Sequence, residues 1–332
     1  MNIGIIGATG IVGQELLSLL DNNHLNIPIN NIRLFASKKS VGKIISIYEN
    51  NIIIEEINDF SNIDVVIFCT SAKISEKYIH LAIKSGCIVI DNSSKYRMYN
   101  NIPLVIPEIN SNLIKNNKLI TNPNCCATML CMVLNPLKKY NIKRVIVNTY
   151  QSASGAGKKG MNELIQQVTD YNTTKLNTTF FGRQYLFNAF SHDSNINELN
   201  GYNDEELKLI EETKKILNCE FKMTATCIRI PVLRSHCLSV NIEFDQSIES
   251  YVIKNLLNKC MGISIVDDRI NNKFPEPIDC EKNLNIYVGR IRNDMSDIEN
   301  KTINLFIAGD QLLKGASLNN YQILEKIWLN MN

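Results

Sequence analysis

The spacing of apolar residues changes several times along this chain, and each change predicts an element. Asn2–Ile6 is a short apolar run that reads as a strand. A glycine-rich turn follows, and from Gln14 to Leu20 the apolar residues return at helical spacing. Ile32–Ala36 reads as the next strand. Asp64–Cys69 is unbroken and apolar, as expected for a parallel strand covered on both faces. Ser75–Lys84 has helical character, and Cys87–Ile90 is a further strand ending at Asp91-Asn92-Ser93-Ser94. This alternation predicts an α/β fold, a doubly wound parallel sheet of the Rossmann type, over roughly the first 120 residues.

The texture changes after Pro123. Ala127–Leu137 is predicted helical, whereas Val145–Tyr150, Ala225–Pro231, Leu238–Phe244 and Thr302–Ile307 alternate or carry β-branched residues as strands do. Strands separated by long helical segments predict an α+β second domain. The stretch 171–200, rich in Asn, Thr and Ser, is expected as an excursion on the surface. Asn319–Leu329 closes the pattern as a helix.

Composition narrows the function classes. At 332 residues, with 45% hydrophobic and 20% charged, the chain can bury the cores of about two domains. Its 35 basic and 33 acidic side chains leave a net charge of +2, which gives no electrostatic case for nucleic acid or an anionic membrane. No apolar run reaches the roughly 18 residues of a spanning helix, and Met1 leads directly into a strand-like run, so neither a membrane span nor a secretory signal is expected. The ten cysteines show no C-x-x-C pair, and no two of the four histidines, His24, His80, His192 and His236, stand at i,i+4. No metal site is expected. The thiols read as mostly inert and buried in a reducing cytoplasm.

Three places carry chemistry. Gly7, Gly10 and Gly13 form G-x-x-G-x-x-G between the first strand and helix, where glycines let a pyrophosphate approach the backbone N–H groups at a helix start. After the second strand, where an NAD site has an acidic residue for the ribose hydroxyl, this chain has Ser37-Lys38-Lys39-Ser40, which suits a 2′-phosphate. Asn122-Pro123-Asn124-Cys125-Cys126 precedes a helix, and a thiol at a helix N-terminus is favoured as thiolate. Spacing alone does not choose between Cys125 and Cys126. A base is needed, and His236, where a strand runs into a polar bend, is the candidate. The loop Ser152–Gly160 is small and basic, but G-x-x-x-x-G-K-[ST] is absent, which removes an ATPase reading.

Six segments in order resemble the aspartate-β-semialdehyde dehydrogenase family: Gly7–Gly13, Asp91–Arg97 with Val105–Asn110, Asn122–Cys125, Tyr150–Gly157, Arg229–Val232 leading to His236, and Lys314–Asn319. The resemblance implies Cys125 as nucleophile, with Cys126 where the family usually has Ser or Thr. It implies Gln151 as the residue orienting the acyl intermediate and His236 as acid/base. Arg229 is implied as the clamp on the substrate carboxylate, Glu205 as the partner of the substrate amino group, with its register against Glu206 open, and Arg97 with Lys208 as the phosphate site. Asn124 is implied at the substrate. For the cofactor, NADP, it implies Gly7, Thr9, Gly10, Ile11, Val12, Gly13, Ser37, Lys38, Lys39, Ser40, Thr70, Ser71, Ser154, Gly155 and Gln311. Phe187–Ser191 lacks the proline usual there.

The implied activity is NADPH-dependent reduction of aspartyl phosphate to aspartate semialdehyde through a cysteine thioester, reversed as a phosphorylating oxidation that uses inorganic phosphate, in lysine, threonine and methionine biosynthesis. The implied organisation is an NADP-binding domain over 1–122, with a helix in 310–332 packing back on it, and a catalytic and dimerisation domain over 123–309, in a cytoplasmic homodimer. Of the rivals, N-acetyl-γ-glutamyl-phosphate reductase has a blocked amine and no use for Glu205, and a silent nucleotide-binding relative would be expected to have lost Cys125, Gln151, Arg229 or His236. A malonyl-CoA-reductase-like substrate also fits Glu205 less well.

Overall fold

The computed structural model describes residues 1–22, 27–172 and 175–331; His24, Thr173 and Thr174 of the stretches read above, and the terminal Asn332, lie outside them. The chain forms two compact units, Met1–Asn124 with Ala316–Asn332, and Cys125–Gly315.

In the first unit, β1 (Asn2–Ile6), β2 (Asn31–Phe35), β3 (Ile44–Ile47), β4 (Asn50–Glu55), β5 (Val65–Phe68), β6 (Ile88–Asp91) and β7 (Leu119–Thr121) form one sheet in the order β3-β4-β2-β1-β5-β6-β7. All neighbours are parallel except the β3–β4 hairpin at the edge. That hairpin has no counterpart in the periodicity reading, because Ile44–Ile47 and Asn50–Glu55 mix apolar and polar residues without a clear face. Helices α1 (Ile11–Asp21), α2 (Ala72–Lys84) and α3 (Pro107–Asn110) connect the strands, and α9 (Leu318–Met331) packs on α1, α3 and β6. One core cluster gathers Phe35, Phe60, Val66, Phe68, Ile79 and Val89 between the sheet and α2.

The second unit is built on a mixed sheet. Its strands are β8 (Ile142–Gln151), β9 (Phe190–Ser191), β10 (Lys222–Arg229), β11 (His236–Phe244), β12 (Ile263–Ile265), β13 (Ile286–Asn293) and β14 (Thr302–Gly309), ordered β12-β13-β14-β11-β8-β10-β9. β8 runs parallel to β10 and antiparallel to β11, so Gln151, Arg229 and the start of β11 come to one end of the sheet. Helices α4 (Cys125–Leu137), α5 (Gly157–Asp170), α6 (Asp204–Leu217), α7 (Ser250–Leu257) and α8 (Pro277–Cys280) complete it; α4 is buried nearly all round and packs on α6, α7, β11 and β14.

Most described residues of the stretch 171–200 are exposed, as expected of a surface excursion, but four apolar side chains anchor it. Phe181, Tyr185, Leu186 and Phe190 are buried with Ala153 and Leu164, and the rings of Phe181 and Tyr185 meet edge to face at 4.7 Å between centroids. The polar residues dominate the composition, but widely spaced aromatics suffice to anchor a segment, because each buries a large apolar area. Among the described residues no helix is long and apolar enough to cross a membrane.

Candidate active site

The second unit brings a thiol pair and an imidazole together. Cys125 opens α4 and Cys126 follows it. Their sulfurs and a ring nitrogen of His236 all lie within 4.8 Å of one another. His236 is the first residue of β11 and is fully buried. The residue before it, Ser235, has a left-handed backbone (φ 72°) and donates its N–H to Gln311 Oε1 at 2.9 Å. Arg234 donates to Asp310 Oδ2 at 2.7 Å, a buried pair that ties the bend before His236 to the end of β14.

The two thiols titrate in opposite directions. The Cys126 thiol, hydrogen-bonded to Cys125, holds Cys125 well below the ordinary thiol value; burial opposes this, and the charge and hydrogen bond of His236 add to it. The same hydrogen bond, with burial, pushes Cys126 well above it. The hydrogen bond between the two thiols thus favours the thiolate on Cys125 over Cys126.

Gln151, at the end of β8, is buried and directs Nε2 toward Glu205 Oε1 at 3.2 Å and Cys126 Sγ at 3.4 Å. The neighbouring acid does something else. Glu206 closes a capping box, accepting the Asn203 N–H at 2.9 Å while the Asn203 side chain accepts the Glu206 N–H at 3.0 Å, and its other oxygen accepts the Cys227 N–H at 2.9 Å. Glu205 faces the thiols and Glu206 is structural. The N-x-x-E signature of that cap was present in the chain as the signal separating them. Lys208 is half-buried, three residues along α6 from Glu205 and so on the same helix face.

Arg229, at the end of β10, is buried and holds three acceptors: Asp193 Oδ1 at 2.8 Å, Ser152 O at 3.2 Å and His192 Nε2 at 2.8 Å. The sequence reading passed over His192 and Asp193. Gly155 lies between Arg229 and His236. A Cβ there would stand 2.8 Å from His236 Nε2 and 3.0 Å from Arg229 Nη1, so its missing side chain leaves both groups room to face one space. Ser154 and Gln311 are buried and bonded to each other through Oγ and Nε2, so both ends of the Gln311 amide are engaged inside this unit. Gly315 passes over the nucleophile: a Cβ on it would come 2.6 Å from Cys125 Cβ.

The first unit holds the remaining candidates. Gly7 has φ 87°, and a Cβ on it would stand 2.3 Å from Cys69 O; a Cβ on Gly13 would stand 2.3 Å from Gly7 O. The strand can therefore turn into α1 only with glycine at these places. Gly10 is exposed at the N-cap of α1 with no side chain capping the helix, and Thr9, Ile11 and Val12 are half-buried around it. Their backbone N–H groups offer an anion site. Ser37, Lys38 and Lys39 are exposed after β2 and Ser40 is buried; Lys38 stands 3.6 Å from Glu56. Thr70 and Ser71 lie between β5 and α2. Arg97 is buried and donates to Asn92 O at 2.9 Å, and Asn124 is buried at the last position before α4.

Residues 2–117 match the family profile "Semialdehyde dehydrogenase, NAD binding domain", and residues 134–314 match "Semialdehyde dehydrogenase, dimerisation domain". The chain is 40% identical to an aspartate-semialdehyde dehydrogenase from Prochlorococcus marinus over 98% of this chain and 95% of that one. It is equally 40% identical to one from Rickettsia conorii, over 98% and 97%. Among solved structures it resembles aspartate semialdehyde dehydrogenase II from Vibrio cholerae complexed with ASA, with a TM-score of 0.93 and 33% identity over 98% of this chain and 97% of that one.

Proposed function

This chain belongs to the aspartate-semialdehyde dehydrogenase family, and from that premise we propose that it reduces aspartyl phosphate to aspartate semialdehyde and, in reverse, oxidises the semialdehyde in the presence of phosphate. The observation that carries the proposal is the thiol pair beside a buried imidazole.

The Cys125 thiolate attacks the acyl carbon of aspartyl phosphate, phosphate leaves, and a thioester forms on Cys125. Splitting the acyl transfer this way replaces one hard step by two easier ones. NADPH, when bound, supplies the hydride that reduces the thioester carbon. His236 stabilises the oxyanion that forms there by donating a hydrogen bond, and the oxygen keeps its negative charge until the carbonyl re-forms. Collapse then expels the Cys125 thiolate, a leaving group that the Cys126 hydrogen bond steadies. Arg229 takes the substrate carboxylate, Glu205 its ammonium group, and Gln151 the acyl oxygen. Arg97 and Lys208 are each assigned to phosphate, an anion that a guanidinium can bind bidentately.

The glycine cradle at Gly7, Gly10 and Gly13 fits a dinucleotide pyrophosphate, since side chains at Gly7 and Gly13 would collide with backbone and no side chain caps α1 at Gly10. Lys38 and Lys39 fit the 2′-phosphate that distinguishes NADP. We assign a second copy of the chain as partner of the unit Cys125–Gly315. The ten free thiols suit a reducing cytoplasm.

The test is NADPH formation from aspartate semialdehyde, with and without phosphate, beside N-acetylglutamate semialdehyde. Phosphate-dependent turnover of the first alone is expected. Preference for the acetylated substrate would overturn the proposal, because Glu205 then has no ammonium to meet.

A further inference from the structure

The guanidinium of Arg229 is almost wholly removed from water, with a side chain 3% exposed. A cation in such a place needs a counter-charge and an acceptor for each N–H it presents. Its neighbours come from the segment that follows β9. Phe190 pairs with Arg229 across the antiparallel β9–β10 contact, and His192 donates its N–H to Cys227 O at 2.9 Å. That pairing delivers the next two side chains to the guanidinium. Asp193 Oδ1 accepts from Nε at 2.8 Å, and His192 Nε2 accepts from Nη2 at 2.8 Å. Ser152 O accepts from Nη1 at 3.2 Å, and the Phe181 ring lies 5.9 Å from Cζ.

A guanidinium has five N–H groups. Three are donated, and the two that remain, one on each terminal nitrogen, have no acceptor among the described residues. Nη1 also lies against the bare Cα face of Gly155, 3.0 Å from where a Cβ would stand, beside His236 Nε2 at 2.8 Å. The pair left over can meet both oxygens of a carboxylate.

The charges of the partners agree with this arrangement. Burial alone would raise the Asp193 carboxyl, but the Arg229 charge overrides it and holds the group below the usual carboxylate range. Burial, the largest influence, lowers His192; Glu205 opposes it and the Arg229 charge acts with it.

We infer that Asp193 is a positioning residue for substrate recognition: with His192 it fixes the plane of the Arg229 guanidinium so that the Nη1/Nη2 edge is presented to the substrate carboxylate. The inference rests on the reading of Arg229 as the carboxylate clamp. Asp193 itself does not touch the substrate. Without it the guanidinium keeps its charge but loses its anchor at Nε and turns toward other acceptors.

The experiment compares aspartate semialdehyde with 3-aminopropanal, the same aldehyde without its carboxylate, in the intact enzyme. Asp193→Asn is expected to raise KM for aspartate semialdehyde about tenfold with kcat within about twofold, and to leave kcat/KM for 3-aminopropanal near wild type. A purely structural role would lower both substrates together, and that outcome, or no change in either, overturns the inference. Should Asp193→Asn fail to fold, Asp193→Glu carries the same comparison, since it keeps the charge and moves it by one methylene. Arg229→Ala separates the two levels. If it abolishes discrimination between the aldehydes while Asp193→Asn does not alter it, the clamp stands and the inference falls. If Arg229→Ala leaves discrimination intact, the clamp reading fails and the inference fails with it.

Discussion

The backbone N–H of Ser152 points at Nδ1 of His236 from 3.0 Å, and this contact decides which ring nitrogen serves the pocket. A nitrogen that accepts an N–H carries no proton, so the neutral ring bears its proton on Nε2. Nε2 is buried and lies toward the bare face of Gly155. His236→Asn should therefore lower kcat by about 10²–10⁴, the range for loss of a general acid–base. Ser152→Ala keeps the N–H and should be mild. Steady-state kinetics of the two variants checks this; an equal loss in both would contradict the tautomer argument.

Cys125→Ser should cost several orders of magnitude in kcat, because a serine hydroxyl near its free pKa is a poor nucleophile. Cys126→Ser should be mild. In the pH dependence of iodoacetamide alkylation, the Cys125 rate should stay high well below the ordinary thiol value of about 8.5 and fall only as pH drops through its lowered pKa. Cys126→Ala, which removes the donor hydrogen bond, should move that midpoint upward. Mass spectrometry assigns the labelled sulfur. Activity in Cys125→Ser with none in Cys126→Ser would reverse the roles.

Gly155→Ala places a methyl group 2.8 Å from His236 Nε2 and 3.0 Å from Arg229 Nη1. Both are ends of side chains, so they can shift where backbone could not. The expected result is a fall in kcat/KM of about 10²-fold, of the size that a misplacement of about 1 Å causes. The thermal midpoint should change little. A normal rate in this variant would show that the space beside Gly155 is not where the substrate reacts.

The two anions of the reaction should separate by mutation. Arg97→Ala and Lys208→Ala are expected to raise KM for phosphate, and Arg229→Ala to raise KM for the semialdehyde. Initial-rate measurements with each substrate varied in turn decide it. Unchanged phosphate kinetics in Arg97→Ala would remove that residue from the phosphate site.

NADP should be preferred to NAD. Replacing Lys38 and Lys39 together by alanine should raise KM for NADP and leave NAD nearly unaffected, because only the 2′-phosphate loses partners. Equal kcat/KM for both cofactors in the unmodified enzyme would contradict the assignment. Since Lys38 is exposed and near Glu56, the effect should weaken with salt.

What depends on near neighbours can be read along the chain. The run Asn2–Ile6, the glycines that follow and the helical repeat after them specify a strand, a turn and a helix within one short segment, because period and glycine conformation are local properties. The order of motifs was equally legible, and with it the family resemblance. The tertiary structure decided everything that rests on pairing across distance. Ser152 meets His236 and Asp193 meets Arg229 because β8, β10, β11 and β9 lie side by side in one sheet, and Gln151 meets Glu205 because α6 packs on β10. No local spacing encodes those encounters. The stretch 171–200 shows the same divide: its composition is polar, but strand pairing at Phe190 and burial of Phe181 and Tyr185 draw it inward and set Asp193 against a buried cation. Cys125 and Cys126 were indistinguishable along the chain, since adjacent residues share their sequence neighbours. Only their surroundings in the fold tell them apart, lowering the Cys125 thiol and raising that of Cys126.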